Sequence, residues 1–436
     1  MKKVLVITYY WPPAGGPGVQ RVLKFVKYLP DFSWRPVILT VENGDYPAID
    51  YSLGSEIPSD VAVYKIPIWE PYNLYRKLLG KRKSQAIPVA VLSQKQNLSV
   101  KAKLLHWLRA NVFIPDARIG WYFAAVREAS RIIEKEKIDC VLVSSPPHSL
   151  QLIGLKLKSK FNLPLISDLR DPWTDIHYYS DVNRLGISQR IDTWLEKKTL
   201  TRADLVTTVS PAMHRLFKAK AEKVNCRVVY NGYDQSDFNA TVERSSEAFI
   251  LAYVGNFKAN QNSDTLWATL AELLKENREF AGHFRLEFTG KLSDDTLHSL
   301  RDYGLWDKVI FNDYLPHNEA VIKMKQASAL LFIIPMAESN QGILTGKLFD
   351  YLAAGTPLLS IGPSSGDAAQ LLSETSAGPM LSYEDKSAIK QRILSLFEAW
   401  QEKKLEQFCP NKQAVTKYER SKITHDLANL LDATAF

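Results

Sequence analysis

Residues 338–361 decide the fold and read Glu-Ser-Asn-Gln-Gly-Ile-Leu-Thr-Gly-Lys-Leu-Phe-Asp-Tyr-Leu-Ala-Ala-Gly-Thr-Pro-Leu-Leu-Ser-Ile. The apolar run 329–334 precedes this stretch, and residues 357–361 close it; each run is short enough for a buried strand. Between them, Thr345 is typical of a helix cap and Gly355 of a helix stop. The stretch therefore predicts a strand, a helix and a second strand, the alternation of an α/β domain.

The predicted helix separates its side chains by chemistry. Its apolar side chains share one side: Leu348, Phe349 and Leu352. Gly346, Lys347 and Asp350 fall on the other side, near the helix start, where backbone N–H groups favour anions. An ammonium and a carboxylate on such a face predict a phosphate-sized site with a hydroxyl-binding acid beside it.

Length and composition allow two α/β domains of ordinary size in a soluble chain. The chain has 436 residues, of which 46% are hydrophobic and 23% charged. Its three cysteines are too scattered for a disulfide framework or a zinc site, which favours a reducing compartment. No stretch approaches 18 apolar residues, and the apolar run 4–8 is too short for a signal peptide. We therefore expect a cytoplasmic protein.

The net charge of +8 is concentrated in one segment. Residues 71–115 contain nine basic side chains and no acid, with aromatic and leucine residues beside them. A local cluster of this kind argues against a general nucleic-acid binder. Two interpretations stay open: the segment docks on an anionic membrane at its inner face, or it is a solvated loop region anchored by its apolar residues.

The N-terminus begins like a doubly wound domain. A compact apolar run over residues 3–8 and a helical pattern over residues 18–29 enclose a turn that contains Gly15 and Gly16. Glycines allow a ligand to approach the backbone, and the following helix start attracts an anion. The Gly-x-Gly-x-x-Gly spacing is missing, so a nicotinamide cofactor is not expected.

Polar residues also follow two later predicted strands. His148 opens a helix after the first strand, and Asp168-Leu-Arg-Asp-Pro-Trp173 follows the second. Open α/β sheets bind ligands at the carboxyl ends of their strands, so His148, Asp168 and Arg170 are candidate site residues. The alternatives are a surface or capping role for His148 and a loop-fixing salt bridge between Arg170 and Asp171.

Taken in order, these motifs resemble the retaining glycosyltransferases of the group 1, or family 4-like, class. That class has the GT-B architecture, in which two Rossmann-like domains face each other across a cleft. Its donor motif is an acid, seven residues, a second acid and a Gly-x-Pro turn. Asp350 matches the second acid and Gly355-Thr-Pro357 the turn, whereas Gly342 stands at the position of the first acid and Glu338 lies four residues earlier. The Asp-Leu-Arg-Asp-Pro-Trp stretch is similar to a signature of one branch of these enzymes.

The resemblance implies a domain division and a set of site residues. Residues 1–240 would form the acceptor-side domain and 241–412 the nucleotide-sugar domain, with a helix in 413–436 returning to the first. His148, Asp168 and Arg170 would be the catalytic residues. The donor-binding set would be Gly15, Gly16, Asn256, Lys258, Glu338, Gly342, Thr345, Gly346, Lys347 and Asp350.

Two donor cations of the family are replaced in this sequence. Asn256 stands where the family has an arginine and Gln261 near the place of its lysine, so Lys258 or Lys347 would supply the charge.

The implied activity is transfer of a hexose from a nucleotide sugar to a glycan or lipid-linked acceptor with retention, in surface polysaccharide or glycoconjugate synthesis. No metal or other cofactor is expected, since the family stabilises the leaving diphosphate with helix dipoles and cations. Two alternatives stay open. One is a sugar-nucleotide 2-epimerase of the same architecture, and the other is a non-catalytic scaffold or partner subunit.

Overall fold

The computed structural model describes residues 1–46, 48–68, 107–108, 110–175, 184–337 and 340–435. Glu338 and most of the basic segment 71–115 lie outside these residues. The chain divides into two compact units, Met1–Tyr230 with Arg420–Phe436, and Asn231–Glu419. Each unit is an α/β fold with a wholly parallel sheet, which confirms the predicted fold class.

The first unit contains a seven-stranded sheet with the order β3-β2-β1-β4-β5-β6-β7. Its strands are β1 (Lys2–Ile7), β2 (Trp34–Val41), β3 (Ala62–Ile66), β4 (Cys140–Ser145), β5 (Leu165–Leu169), β6 (Leu205–Thr208) and β7 (Cys226–Val228). The helices between them include α1 (Pro17–Tyr28), α2 (Tyr122–Glu136), α3 (Ser149–Phe161), α4 (Gly186–Arg202) and α5 (Pro211–Lys220).

Alternate residues of β1 enter two different cores. Val4 and Val6 pack in the core that contains α1, whereas Leu5 and Ile7 pack in the core that contains α2 and α3. The covered part of a strand buried on both faces is apolar on both, which is why residues 4–7 form a continuous apolar run rather than an alternation.

The second unit contains a six-stranded sheet with the order β10-β9-β8-β11-β12-β13. Its strands are β8 (Phe249–Val254), β9 (Phe284–Thr289), β10 (Val309–Asn312), β11 (Ala329–Ile333), β12 (Leu358–Ile361) and β13 (Met380–Leu381). Its helices include α6 (Asp264–Glu276), α7 (Arg278–His283), α8 (Asp294–Asp302), α9 (His317–Gln326), α10 (Gly346–Ala354), α11 (Asp367–Glu374), α12 (Lys386–Gln401) and α13 (Lys412–Val415).

Each sheet has one point at which the winding direction reverses. In the first unit this point lies between β1 and β4, and in the second between β8 and β11. Ligands of open α/β sheets bind outside the carboxyl ends of the strands at such a point. The loops that follow these four strands are therefore the expected ligand-binding loops of each unit.

The terminal helix is shorter than the sequence pattern predicts. The sequence predicts a single helix in 413–436, but α13 ends at Val415, and α14 (Arg420–Ala435) begins after a 3₁₀ turn over Thr416–Tyr418. Ile423, Leu427 and Leu431 of α14 are buried in the same core as α1. The last helix therefore completes the first unit.

Candidate functional site

The loop after β1 brings glycines to the winding switch of the first unit. Gly16 has φ of 93°, in the region that L side chains rarely adopt. At Gly15 an added Cβ would lie 3.2 Å from Asp50 Cβ, so this turn is also tight. Helix α1 then starts at Pro17 with no side-chain cap and no acid in its first turn. Its N-terminus has the features of an anion-binding helix start.

His148 follows β4 and is buried, with 6% of its surface exposed. Its ring stacks on Trp173, with centroids 4.7 Å apart, and its Nδ1 lies 3.3 Å from Ser145 Oγ. Burial lowers the pKa of His148 to about 3, with further lowering by the positive charges of Arg170 and Lys220. Its Nε2 is buried and has no hydrogen-bond partner in the described part of the chain. The imidazole is thus neutral at physiological pH and suited to hydrogen bonding with a ligand.

Asp168 lies inside β5, where its carboxylate is occupied by the fold itself. Arg21 donates two hydrogen bonds to it, from Nε at 3.1 Å and from Nη2 at 2.8 Å. Ser144 Oγ and Thr207 Oγ1 donate two more, at 2.7 and 2.8 Å. Four bonds fill the accepting capacity of a carboxylate. The side chain is also 1% exposed, so Asp168 anchors α1 to the sheet.

Electrostatics supports the same interpretation of Asp168. Burial alone would raise the pKa of this carboxyl, but the charge and hydrogen bonds of Arg21, together with Arg170 and Ser144, hold the pKa below its usual value. A carboxylate kept ionised by an internal arginine is a structural ion pair.

Arg170 also binds backbone rather than open space. Its guanidinium donates to the carbonyl oxygens of Ser145 and Pro146, each at 3.1 Å, and to that of Gly18. These bonds tie the loop after β4 to the first turn of α1. Arg170 therefore fixes the two loops that flank the winding switch, through carbonyl groups rather than through the salt bridge considered above.

In the second unit, Lys347 lies at the winding switch. Its Nζ is 3.7 Å from the centroid of the Tyr253 ring, and a Cβ added at Gly255 would lie 2.8 Å from this nitrogen. Burial lowers the pKa of Lys347 to about 7, and the charge of Lys258 lowers it further, whereas Asp350 acts in the opposite direction. No described carboxylate forms a salt bridge with Lys347. The protonated Lys347 side chain is therefore a partly buried positive charge that a bound anion would stabilise.

The start of α10 places backbone N–H donors close to the Lys347 ammonium. Thr345 is the N-cap residue as predicted, but its hydroxyl makes no capping hydrogen bond. An added Cβ at Gly346 would meet nothing within 4 Å, so space is open beside the helix start. Asp350 follows one turn later and is partly buried.

Gln261 has a structural role that the sequence did not reveal. Its Oε1 accepts from Tyr253 Oη at 3.2 Å and from the Lys258 backbone N–H at 3.1 Å, and its Nε2 donates to the Ile333 carbonyl at 2.8 Å. It thus joins the loop after β8 to the end of β11. The side chain is 6% exposed, so this position holds the loops together in place of the cation expected from the family.

The remaining donor candidates differ in exposure. Asn256 and Lys258 are exposed in the loop after β8. Gly342 ends a 3₁₀ turn over Asn340–Gly342 and is partly buried. Glu338 lies outside the described residues, so its replacement of the first acid stays a prediction.

An open pocket of about 350 Å³ lies at the ends of β9 and β10. It is lined by Gly290, Leu292, Leu297, Phe311, Asn312 and Asp313. A Cβ added at Gly290 would lie 2.8 Å from the Gly255 carbonyl oxygen, so the pocket borders the loop after β8. No motif considered above predicts this pocket; the glycine directly after β9 was the available signal.

The described residues contain neither a metal-binding cluster nor a membrane-spanning helix. No group of three His, Cys, Asp or Glu side chains in them is placed to hold a metal ion. No helix among them is both long and apolar enough to cross a membrane.

Comparison with known proteins identifies a family segment and a fold. Residues 82–237 match the family model for Glycosyltransferase Family 4, and no curated protein matches the sequence of the chain. Sucrose-phosphate synthase from Thermosynechococcus elongatus has the same fold, with 14% identity, a TM-score of 0.64 and 99% of each chain covered.

Two further solved structures agree with this result. Anabaena HepE, in complex with UDP, has 14% identity and a TM-score of 0.59, with 99% of this chain and 100% of that chain covered. The lipopolysaccharide outer core galactosyltransferase WaaB, in its apo form, has 13% identity and a TM-score of 0.58, with 99% of each chain covered. The chain therefore has the fold of the GT-B glycosyltransferases and carries a segment that matches Glycosyltransferase Family 4.

Proposed function

We propose that this protein is a retaining glycosyltransferase that transfers a hexose from a nucleotide sugar to a glycan or lipid-linked acceptor. The observation that carries the proposal is Lys347, a partly buried cation at the winding switch of the second unit. The backbone N–H groups of the α10 start, which receive no capping bond from a described side chain, lie beside it. A diphosphate supplies the negative charge that this arrangement favours.

The donor would occupy the carboxyl ends of the strands in the second unit. Its diphosphate would lie against Lys347 and Gly346, with Lys258 as a second cation. Asp350 would accept a hydrogen bond from a ribose hydroxyl. The pocket beside Phe311 has apolar and polar walls that suit a nucleobase. HepE was solved with UDP, which supports testing uridine donors first.

The acceptor would bind in the first unit, near the loops after β1 and β4. The unpartnered Nε2 of His148 would hydrogen-bond to a hydroxyl of the transferred sugar or of the acceptor. Gly15 and Gly16 would let that ligand approach the backbone. Asp168 and Arg170 would act as positioning residues, because both bind the fold. This assignment modifies the catalytic roles expected for them from the sequence.

Catalysis would rest on orientation and on stabilisation of the leaving diphosphate. Two lysines and a helix start provide positive potential where negative charge develops, so we propose that no divalent ion is required. A neutral His148 cannot act as a proton donor near neutral pH, which assigns it to hydrogen bonding.

The acceptor class follows from charge. The acid-free segment 71–115 would attract an anionic membrane surface, at the cytoplasmic face, and present a lipid-linked glycan. WaaB is named as a lipopolysaccharide core galactosyltransferase, which supports a role in surface polysaccharide or glycoconjugate synthesis.

Calorimetric titration with UDP-, GDP- and ADP-hexoses tests the donor half. We expect one nucleotide class to bind and the Lys347→Ala variant to lose at least about tenfold in affinity, since a charge-assisted bond contributes about 1.5–3 kcal/mol. Lys275→Ala, which removes an exposed lysine of α6, is the matched control. Failure of every nucleotide sugar to bind would contradict the proposal.

A non-catalytic scaffold is the second candidate, favoured by Gly342 and Asn256 at positions where the family has an acid and an arginine. Product analysis separates the cases. A transferase gives a glycoside whose anomeric configuration matches the donor, which NMR measures directly. A scaffold binds the nucleotide without product, and an epimerase converts the donor in the absence of an acceptor.

A further inference from the structure

The outer face of α4 is a surface that neither candidate site uses. Ile187, Ile191 and Trp194 are 66%, 41% and 58% exposed. Their spacing of four and then three residues places them on one line along the helix. Three large apolar side chains in a row are more than the isolated exposed residues of an ordinary surface.

The charges of α4 are sorted by sign between its two faces. Its exposed or half-exposed charged side chains are all basic: Arg190, Lys197, Lys198 and Arg202. Its acids point inward, where Asp192 pairs with Arg184 at 2.8 Å and Glu196 pairs with Lys220 at 2.7 Å. The structure describes this helix in full, and it presents no exposed acid.

The apolar line is extended by residues next to the helix start. The Leu185 backbone N–H donates to Asn111 Oδ1 at 2.6 Å, and Ser188 Oγ donates to the Asn111 carbonyl at 3.1 Å. These bonds hold the short stretch that contains Trp107 and Val112, which are 41% and 59% exposed. The described residues of this stretch therefore add apolar area beside the start of α4.

We infer that this surface docks on an anionic lipid bilayer. Trp194 and the isoleucines enter the head-group region, while the basic side chains on either side contact lipid phosphates. Lys198 Nζ lies 4.7 Å from the Trp194 ring centroid, so the cation and the aromatic ring act at the same depth. A second copy of the chain is a poor partner, since a two-fold contact would place basic residues opposite basic residues.

The inference rests on the acceptor half of the proposed function, and it identifies the outer face of α4 as the surface that contacts the membrane. It does not depend on the donor site. Donor affinity and membrane binding are measured separately, so failure of one leaves the other standing.

Flotation of the full chain with phosphatidylcholine vesicles, with and without phosphatidylglycerol, tests the inference. We expect binding to the anionic vesicles alone, weakened by salt. Trp194→Ala should lower the partition coefficient about tenfold or more, as should the pair Arg190→Glu and Lys198→Glu. Trp306→Ala is the matched control, because Trp306 is 39% exposed with Arg301 4.3 Å from its ring centroid, in the other unit.

Two results would overturn the inference. One is equal vesicle binding by the Trp194 and Trp306 variants. The other is a lipid-free dimer, seen by light scattering, that Trp194→Ala dissociates, which would assign the surface to a second copy of the chain. Thermal melting of each variant checks that the fold is intact.

Discussion

The side-chain ammonium of Lys347 has a pKa well below that of an ordinary lysine. Burial, then the charge of Lys258, lowers the pKa of its ammonium to about 7, so half of the molecules carry a neutral Lys347 at that pH. A bound diphosphate favours the charged form and raises this pKa again. Donor binding above pH 7 must therefore take up a proton.

The resulting prediction is a pH-dependent donor affinity. The dissociation constant of the nucleotide sugar should be constant below about pH 6.5 and rise toward tenfold per pH unit above about pH 7.5. A nucleotide sugar is the right probe, because its bridged diphosphate does not titrate in this range. Isothermal titration in buffers of different ionisation enthalpy measures the proton uptake directly.

A variant provides the control. Lys347→Arg keeps a positive charge at all these pH values and should abolish the pH dependence, even if its geometry weakens binding at low pH. An unchanged pH profile in Lys347→Arg would show that another group titrates.

His148 gives a second prediction at the same scale, concerning turnover. His148→Phe keeps a ring that stacks on Trp173 but removes the nitrogen that no described residue contacts. Loss of one hydrogen bond to a ligand should lower kcat/KM by about 10- to 100-fold. Because the pKa of His148 is lowered to about 3, the reduction should be equal from pH 5 to pH 9. A pH-rate profile that loses a limb in the variant would instead indicate proton transfer.

At the scale of elements, the ion pair between Arg21 and Asp168 joins α1 to β5. Both side chains are buried, at 2% and 1% exposure. Asp168→Asn should destabilise the chain by about 3–5 kcal/mol, since it leaves a buried arginine without its counter-charge. Denaturant unfolding measures this loss. The double variant Arg21→Met with Asp168→Asn should cost clearly less than the sum of the single variants.

The sign of the pH effect follows from the lowered pKa of Asp168. The stabilisation by this pair is fully present above the ordinary carboxyl pKa near 4 and is lost as the pH falls through the lower folded-state pKa. Wild-type acid unfolding should therefore be steeper than that of the double variant.

Elements were predictable from sequence where a strong local pattern exists. The strands β8 and β11 are continuous apolar runs, β1 is apolar from Val4 to Ile7, and α10 has both a cap residue and a glycine stop. Short elements were missed because a few residues carry too little periodicity; these were α5, α7, α11 and β13. The break between α13 and α14 was missed because no proline or glycine marks it.

The site was only partly predictable, because sequence shows residue types in order but not their partners. Asp168 and Arg170 stood out as polar residues after a strand. Their partners are Arg21, 147 positions from Asp168, and backbone carbonyls that no sequence pattern displays. The role of Gln261 could not be predicted for the same reason, since its three hydrogen bonds depend on loops that the sheet brings together.

At the scale of the whole molecule, the chain runs through the first unit, forms the second, and then returns. Both units use a parallel sheet with one winding switch, although their sequences show no repeat. The return is made by α14, whose Asp432 also accepts hydrogen bonds from Lys2 Nζ at 2.7 Å and Trp34 Nε1 at 3.0 Å. The first unit therefore packs β1, β2 and α14, which lie far apart in the sequence, into one core.

This shared core gives the last prediction. Leu431 is fully buried in the core that contains α1, and Leu431→Ala should lower the free energy of unfolding of the first unit by about 2–5 kcal/mol. Hydrogen exchange should report the loss in β1 and β2, while the nucleotide-sugar affinity of the second unit stays unchanged. Asn429→Ala, on the exposed side of the same helix, is the control and should leave exchange in these strands within the range of wild type. If Leu431→Ala left the exchange of β1 unaltered, α14 would be an appendage rather than part of the first unit's core.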